Sequence, residues 1–308
     1  MPGSPPDHSG TTPPEVTHSH VSMERLSIIT ALHNCVDLTR AYVDSLLETV
    51  DYPDWELILV DDASTDSTPE FLDSIRSRFT VLHNPGNMGY ARSNNRGESV
   101  ATGSILAFLN NDLTLSKGWL DPMLHTLYHA PKAGAVGNIQ INPRTGLIDH
   151  AGVFFGLDGM PRQARKNRAA FPATPTTEWN AVTAACMLMK RSVFVEAGRF
   201  DEAYRNGFED IDLCVKLRTM GFQHYVCNNS RIYHHVSQSP GRHHHNSANE
   251  VLFRDRWASV TSEWGAQEWP SEYLKRYARH WWKLNLNKTL RAIVALTSDR
   301  EHRLIHRP

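Results

Sequence analysis

The stretch WELILVDDASTDSTPEFLDSI, residues 55–75, carries most of the information about the fold. Leu57, Ile58, Leu59 and Val60 form an unbroken apolar run, the pattern of a strand covered on both faces. Asp61 and Asp62 follow at once, then a turn of Ser, Thr and Asp. Pro69 at the first helical position, with Phe71, Leu72, Ile75 and Phe79 on one face, predicts a helix from Thr68. Thr68 is the expected cap, and Ser67 and Glu70 stand at capping-box spacing.

The same alternation extends in both directions. LSIIT (26–30) precedes a helix from Asp37, and TVLH (80–83) precedes a helix over 89–101 that Gly103 stops. SILAFL (104–109) reads as a buried strand, and a helix from Ser116 with Trp119, Leu120, Met123, Leu124, Leu127 and Tyr128 ends before Pro131. Strands alternating with helices predict the α/β class with a mostly parallel sheet.

The second half is less regular. AGAVGN (133–138) and GVFFGL (152–157) read as strands, and 156–178 as a long mobile loop bearing Arg162, Arg165, Lys166 and Arg168. A helix from Glu209 to Met220, closed by Gly221, precedes the strand FQHYVCN (222–228). Residues 1–24 hold five of the 17 prolines and little that can pack, so a disordered leader is expected. Residues 247–308 read as a Trp-rich helical segment.

Composition narrows the function. The 308 residues carry 32 Lys and Arg against 33 Asp and Glu, a balance that argues against a chain dedicated to nucleic acid. The charge is uneven: residues 271–308 carry a net +6. Four cysteines without a CxxC pair point away from a zinc ribbon and toward reduced, mostly buried thiols. The longest apolar run, Ala181 to Met189, is too short to span a bilayer, so a soluble cytoplasmic protein is expected. Neither GxGxxG nor GxxxxGK[ST] follows the first strand, which counts against a dinucleotide cofactor and a P-loop.

In an open α/β sheet, ligands bind beyond the carboxyl ends of the strands. Asp61 and Asp62 follow one buried strand, and Asn110, Asn111 and Asp112 follow another, so both clusters are expected at one edge. Asp112 suits Mg²⁺ or Mn²⁺ whose remaining positions go to substrate phosphates and water. Glu209, Asp210 and Asp212 open a helix whose dipole favours ionised carboxylates, the state a general base needs. Turn capping and helix-start electrostatics are the plain alternatives for these clusters. His234 and His235 end a strand-like run, whereas the triplet His243–His245, with no partner at metal-ligand spacing, reads as polar side chains facing solvent.

These segments together resemble glycosyltransferase family 2, inverting enzymes of the GT-A fold, and among them the rhamnosyltransferase-like bacterial members. The similarity covers about residues 25–260: LSIITALHN, LILVDDASTDST, NPGNMGYARSNNRGESVATG, FLNNDL, RFDEAYRNGFEDIDLCVKLRTMGF and IYHHVSQS follow the family's motifs in order. Three positions depart from the pattern: Leu32 for a frequent Thr, Asn110 for a metal-motif carboxylate, and Arg199 for a second Gly before Phe200.

The resemblance implies a Rossmann-like GT-A domain over 25–246, with helices on both sheet faces, a nucleotide-sugar half to about 135 and an acceptor half to 246; the basic helical segment over 247–308 is read from periodicity and charge. The resemblance also implies Asp61, Asp62, Asn87, Gly89, Arg92, Asn95 and Asn111 for the nucleotide sugar, and Asp112, Asn110 and His234 for Mn²⁺ or Mg²⁺. Asp210 would be the base with Glu209 in support. His234 is preferred over His235 on the alignment, and adjacent residues of an extended strand point to opposite faces. The implied reaction moves a sugar from a nucleoside-diphosphate sugar to a saccharide or lipid-linked saccharide in bacterial surface polysaccharide or glycoconjugate assembly. The basic tail, with Trp281 and Trp282 beside Lys275, Arg276, Arg279 and Lys283, has two readings: packing on the main domain, or peripheral contact with the inner face of an anionic membrane. A nucleotidyl or phosphoryl transferase, relying on Arg92 and Arg96, and a non-catalytic sugar-binding module are the competing functions.

Overall fold

The unbroken apolar runs of the first half become the central strands of a single sheet. The structure, a computed structural model, describes residues 24–235, 246–277, 282 and 284–305. The expected leader up to residue 23, the VSQS motif, the triplet His243–His245, Arg279, Trp281 and Lys283 lie outside the described residues.

The first half runs β1 (Leu26–Leu32), α1 (Val36–Thr49), β2 (Trp55–Asp61), α2 (Thr68–Ile75), β3 (Thr80–His83), α3 (Tyr90–Val100) and β4 (Ile105–Leu109). The second continues with β5 (Leu113–Thr114), α4 (Leu120–His129), β6 (Ala133–Ile141), β7 (Ile148–His150), β8 (Val153–Phe155), β9 (Pro161–Gln163), β10 (Thr176–Trp179), β11 (Cys186–Lys190), α5 (Arg191–Glu196), α6 (Glu209–Thr219) and β12 (Gln223–His234). Helices α7 (Asn246–Tyr277) and α8 (Leu286–Ile305) follow.

The sheet order is β10-β12-β6-β11-β4-β1-β2-β3, with β5 on β12 and β7 on β6. The β3-β2-β1-β4 block is parallel throughout, as is the β6–β12 pair. β11 enters antiparallel to both β4 and β6. Two reversals restore direction, so β12 ends at the same edge as β1, β2 and β4, and β11 begins there.

Both faces are covered because every central strand is apolar at consecutive positions. On one face Ile29, Ile58, Val60, Leu106 and Phe108 pack with Ala91 of α3, Ile211 and Cys214 of α6 and Phe253 of α7. On the other, Ile28, Leu57, Leu59 and Ala107 pack with Tyr42 of α1, Phe71 of α2 and Met123 of α4. Cys186, Cys214 and Cys227 are buried free thiols, as expected for small apolar side chains.

Several local expectations change. The N-cap of α2 is Ser67 rather than the expected Thr68, which is the first helical residue, and the Ser67 side chain makes no capping bond. Asp66 takes that role, its Oδ1 accepting from Thr68 N at 3.0 Å and its Oδ2 from Val36 N at 3.1 Å. A charged acceptor outcompetes a hydroxyl there and also ties α2 to α1. Helix α4 starts at Leu120 rather than Ser116, because Gly118 sits at φ 75 and a left-handed residue interrupts the helix.

The segment over 156–178 is not a free loop. Its start forms the turn and second strand of the β8–β9 hairpin, and it ends in β10. Helix α7 lies across it so closely that a Cβ on Gly265 would fall 2.2 Å from Gly156 O. Thr261 Oγ1 donates to Gly159 O at 2.7 Å, and Met160 and Ala164 are buried. Farther along, Asn228 Nδ2 donates to Thr174 O at 2.9 Å, and the Arg231 guanidinium stacks over Phe171. Trp257, Trp264 and Trp269 of α7 pack against the core, while Trp282 beyond it is exposed.

The departure at Arg199 has a structural account. The residue keeps the left-handed backbone a glycine would supply, at φ 66, and its Nε pairs with Glu98 at 2.7 Å. Arg191 Nε pairs with the other oxygen of the same fully buried carboxylate at 2.7 Å, joining α3 to α5. Removing the carboxylate leaves two facing guanidinium groups, each only partly able to reach water. Glu98→Ala should therefore lose about 2–3 kcal/mol of unfolding free energy in urea titrations; a loss below about 0.5 kcal/mol, the scale of an ordinary surface change, would show that the triad does not support the fold.

Candidate functional site

Three parallel strands deliver their carboxyl ends to one edge. There β2 ends at Asp61, β4 leads into Asn110, Asn111 and Asp112, and β12 ends at His234. The distance in sequence between Asp112 and His234 is closed by two residues of β5, whose Leu113 pairs with His234 and whose Thr114 pairs with Tyr233. His235 N donates to Asp112 O at 2.9 Å and continues that pairing.

The result is a line of alternating charge. His234 Nε2 lies 3.3 Å from Asp112 Oδ1, and His234 Nδ1 lies 3.2 Å from Asp149 Oδ2. Burial by itself would lower the imidazole's proton affinity, but the two carboxylates outweigh it and hold the pKa at about 9. Burial pushes the other way on Asp149, where the His234 hydrogen bond and Lys166, 3.6 Å from Oδ1, keep the carboxyl below its usual range. His235 meets a different partner, its Nε2 lying 3.0 Å from Thr114 Oγ1.

Asp112 and His234 offer an oxygen and an imidazole nitrogen, a donor set compatible with Mn²⁺. Asn110 Oδ1, on the same loop, is a buried oxygen with no donor among the described residues. Among the described residues no group of three or more His, Cys, Asp or Glu is arranged to hold a metal ion.

The carboxylate Asp210 reaches this edge from another element. α6 begins after three successive residues with positive φ, Asn206 at 57, Gly207 at 148 and Phe208 at 74. A left-handed Phe is strained, and its surroundings hold it there. Glu209 Oε2 accepts from Gly207 N at 2.7 Å, Asn249 of α7 donates to Arg205 O and Gly207 O at 2.9 Å each, and Phe208 packs on Phe253. Asp210 emerges with Oδ2 accepting from Ala184 N at 3.0 Å and Oδ1 from Ile211 N at 2.9 Å. Asp212 faces inward instead: fully buried, it pairs with Lys216 at 2.7 Å and accepts from Trp257 Nε1 at 2.7 Å.

One dipeptide connects the two halves of the site. Ala185 O accepts from Asn110 N at 2.9 Å, Ala184 N donates to Asp210, and Ala184 O accepts from Tyr90 Oη at 2.9 Å. Consecutive Cα atoms are about 3.8 Å apart, so the Asn110 loop and Asp210 are moored one residue from each other.

The remaining expected residues divide. Asp62 is buried and accepts from Asn84 Nδ2 at 2.8 Å, Met88 N at 2.7 Å and Gly89 N at 2.8 Å, so it shapes the 84–89 turn. Asp61 Oδ1 accepts from Ser64 N at 2.9 Å and its Oδ2 lies 3.0 Å from His83 Nδ1. Asn87 is exposed in that turn, where its carbonyl accepts from Arg205. Asn111 Nδ2 donates to Thr39 Oγ1 at 2.9 Å, toward α1. Arg92 pairs with Glu202 at 3.2 Å and Asn95 brackets the Phe200 backbone, so these two side chains are occupied with the 200–202 segment rather than the strand-end crevice. Of the cations expected to meet an acceptor, Arg162 pairs with Asp158 at 2.6 Å and Lys166 with Asp149. Sequence reasoning missed Asp149, Tyr90, Asn249 and the Ala184–Ala185 link. Only Asp149 left a trace, a carboxylate and a histidine side by side in an otherwise apolar run.

The chain is similar to known proteins in both sequence and fold. The chain is 33% identical over 248 residues to the O-antigen biosynthesis protein RfbC of Myxococcus xanthus, a match that covers 77% of this chain but only 19% of that protein's length. It is 26% identical over 271 residues to an N-acetylglucosaminyl-diphospho-decaprenol L-rhamnosyltransferase of Mycobacterium tuberculosis, covering 79% of this chain and 81% of the relative. In fold it is similar to the mannosyltransferase PcManGT from Pyrobaculum calidifontis, solved with GDP-Man and Mn²⁺, with a TM-score of 0.54 and 18% identity over 91% of this chain and 81% of that one. The family model described as "Glycosyl transferase family 2" matches residues 27–198, more than half of the sequence, and the chain belongs to that family.

Proposed function

We propose that this chain is an inverting, metal-dependent glycosyltransferase that moves a sugar from a nucleoside-diphosphate sugar to a hydroxyl acceptor in surface polysaccharide or glycoconjugate assembly. The observation that carries this reading is the Ala184–Ala185 link, which moors the Asn110–Asp112 loop and Asp210 one residue apart. A proton acceptor and a diphosphate holder belong on either side of a bond that breaks while another forms.

The chemistry follows from the residues. The acceptor hydroxyl gives its proton to Asp210 as its oxygen bonds to the anomeric carbon, and the carbon–oxygen bond to the diphosphate breaks on the opposite face. Attack opposite to departure inverts the configuration in one displacement. Two backbone N–H groups orient the Asp210 carboxylate, and Glu209 holds the strained turn that presents it. Asp112, His234 and the Asn110 oxygen would hold Mn²⁺ or Mg²⁺, which when bound neutralises the charge growing on the departing diphosphate. Asp61 and Asp62, stiffened by their internal bonds, are assigned to the base or ribose, with Asn87, Gly89 and Asn111 lining the donor side.

The acceptor class is taken from the mycobacterial relative's lipid-linked substrate, and one feature of α8 favours it. Leu286, Leu290, Ile293 and Val294 form an exposed stripe on the side of α8 away from its buried Ala292. Trp282 is also exposed, and residues 271–308 carry the net +6. No helix among the described residues is long and apolar enough to cross a membrane. An apolar stripe beside positive charge suits peripheral contact with an anionic bilayer, where such an acceptor is presented.

Three measurements test this reading. Asp210→Asn should lower turnover by about 10² to 10⁴ while nucleoside-diphosphate binding by calorimetry persists, and near-normal turnover would remove the base assignment. His234→Ala and Asp112→Ala should raise the Mn²⁺ requirement while His235→Ala leaves it unchanged; the reverse pattern would move the ligand to His235. The chain should float with liposomes containing phosphatidylglycerol at low salt, less at high salt, and less again as Leu290→Glu; absence of salt-sensitive flotation would return the tail to a purely structural role.

A further inference from the structure

Asp149 has no part in the chemistry above, yet it makes the second contact of the imidazole assigned to the metal. A cation that binds the ring displaces one of the two protons that the flanking carboxylates otherwise favour; the neutral ring that remains carries one proton, and the nitrogen that binds the cation must be the bare one. If the proton sat on Nε2, it would point at Asp112 Oδ1, 3.3 Å away, and no lone pair would remain for a cation between them. An ionised carboxylate can only accept, so Asp149 Oδ2, 3.2 Å from Nδ1, draws the proton to that nitrogen. The two ring nitrogens diverge, which keeps Asp149 away from any ion on Nε2 and rules it out as a ligand of the same ion.

Asp149 is itself well placed to do this. Its strand β7 pairs with β6, the neighbour of β12, so the sheet itself sets its distance from His234. The side chain is only 10% exposed, and Lys166 lies 3.6 Å from the oxygen that His234 does not use. We propose that Asp149 is a positioning residue that sets the tautomer and orientation of His234 for cation binding. This rests on the metal reading above and extends it to a second layer of residues, the arrangement in which a histidine ligand hands its other N–H to a carboxylate.

The test is direct Mn²⁺ binding by the full chain, read from loss of the free-ion signal in electron paramagnetic resonance without turnover. Asp149→Ala should weaken binding by about 10- to 100-fold, and the double variant Asp149→Ala/His234→Ala should bind no more weakly than His234→Ala alone. Should the alanine chain fail to fold by circular dichroism, Asp149→Asn carries the test. It keeps an acceptor but not the charge, and charge-assisted bonds are roughly twice as strong, so a loss of about 3- to 10-fold is expected. Wild-type affinity in the folded Asp149 variant, with His234→Ala weakened, overturns the positioning role and leaves the metal reading standing. Losses that add in the double variant overturn it as well. Unchanged binding in His234→Ala, or no binding by the wild-type chain, overturns both.

Discussion

The antiparallel insertion of β11 between β4 and β6 is the constraint on which the rest of the site depends. Cys186 pairs with Leu109, so the residues just before β11 must meet the residues just after β4. Ala184 and Ala185 then face Asn110 from across the sheet edge, and the N–H and carbonyl of Ala184 are spent on Asp210 and Tyr90. Buried backbone groups need partners, so this pairing recruits α6 and α3 to the place where β4 ends. The same insertion restores strand direction, and β12 can deliver His234 to the edge at which β4 delivers Asp112.

Around that edge, carboxylates do structural and chemical work side by side. Asp62 and Asp212 each tie elements together from buried positions, and the exposed Asp66 ties α2 to α1, all with charge-assisted bonds. The acids assigned to chemistry sit among them on rigid supports. Asp210 stands on a turn whose left-handed Phe208 is tolerated because Asn249, Glu209 and Phe253 over-determine it. Pre-organisation of this kind means that little reorganisation is left to the moment of reaction.

Helix α7 belongs to this support as much as to the tail. Asn249 clamps the turn before α6, Trp257 closes on Asp212, and the glycine contact at Gly265 holds the β8–β9 hairpin. The hairpin's continuation carries Lys166 to Asp149, and so indirectly to His234. A segment that reads as a free basic loop is thus fastened at several points, and two of its four cations are neutralised. Composition reports that such residues are polar; it does not report which carboxylate they meet.

Much was legible in the chain. Consecutive apolar residues in LILV and LAFL announced strands buried on both faces, the 3.6-residue pattern after Pro69 announced a helix, and Asp or Asn directly after a strand announced a polar edge, because periodicity and strand ends are local properties. What only the tertiary structure decided is which local features meet. The two-residue pairing of β5 with β12, the placement of β11 on β4, the partner of Asp149 and the recruitment of Arg92 and Asn95 to the 200–202 segment all join residues from 77 to 121 positions apart. Such contacts are selected by the packing of the whole sheet and by the need to pair every buried polar group, and no window of sequence contains both partners.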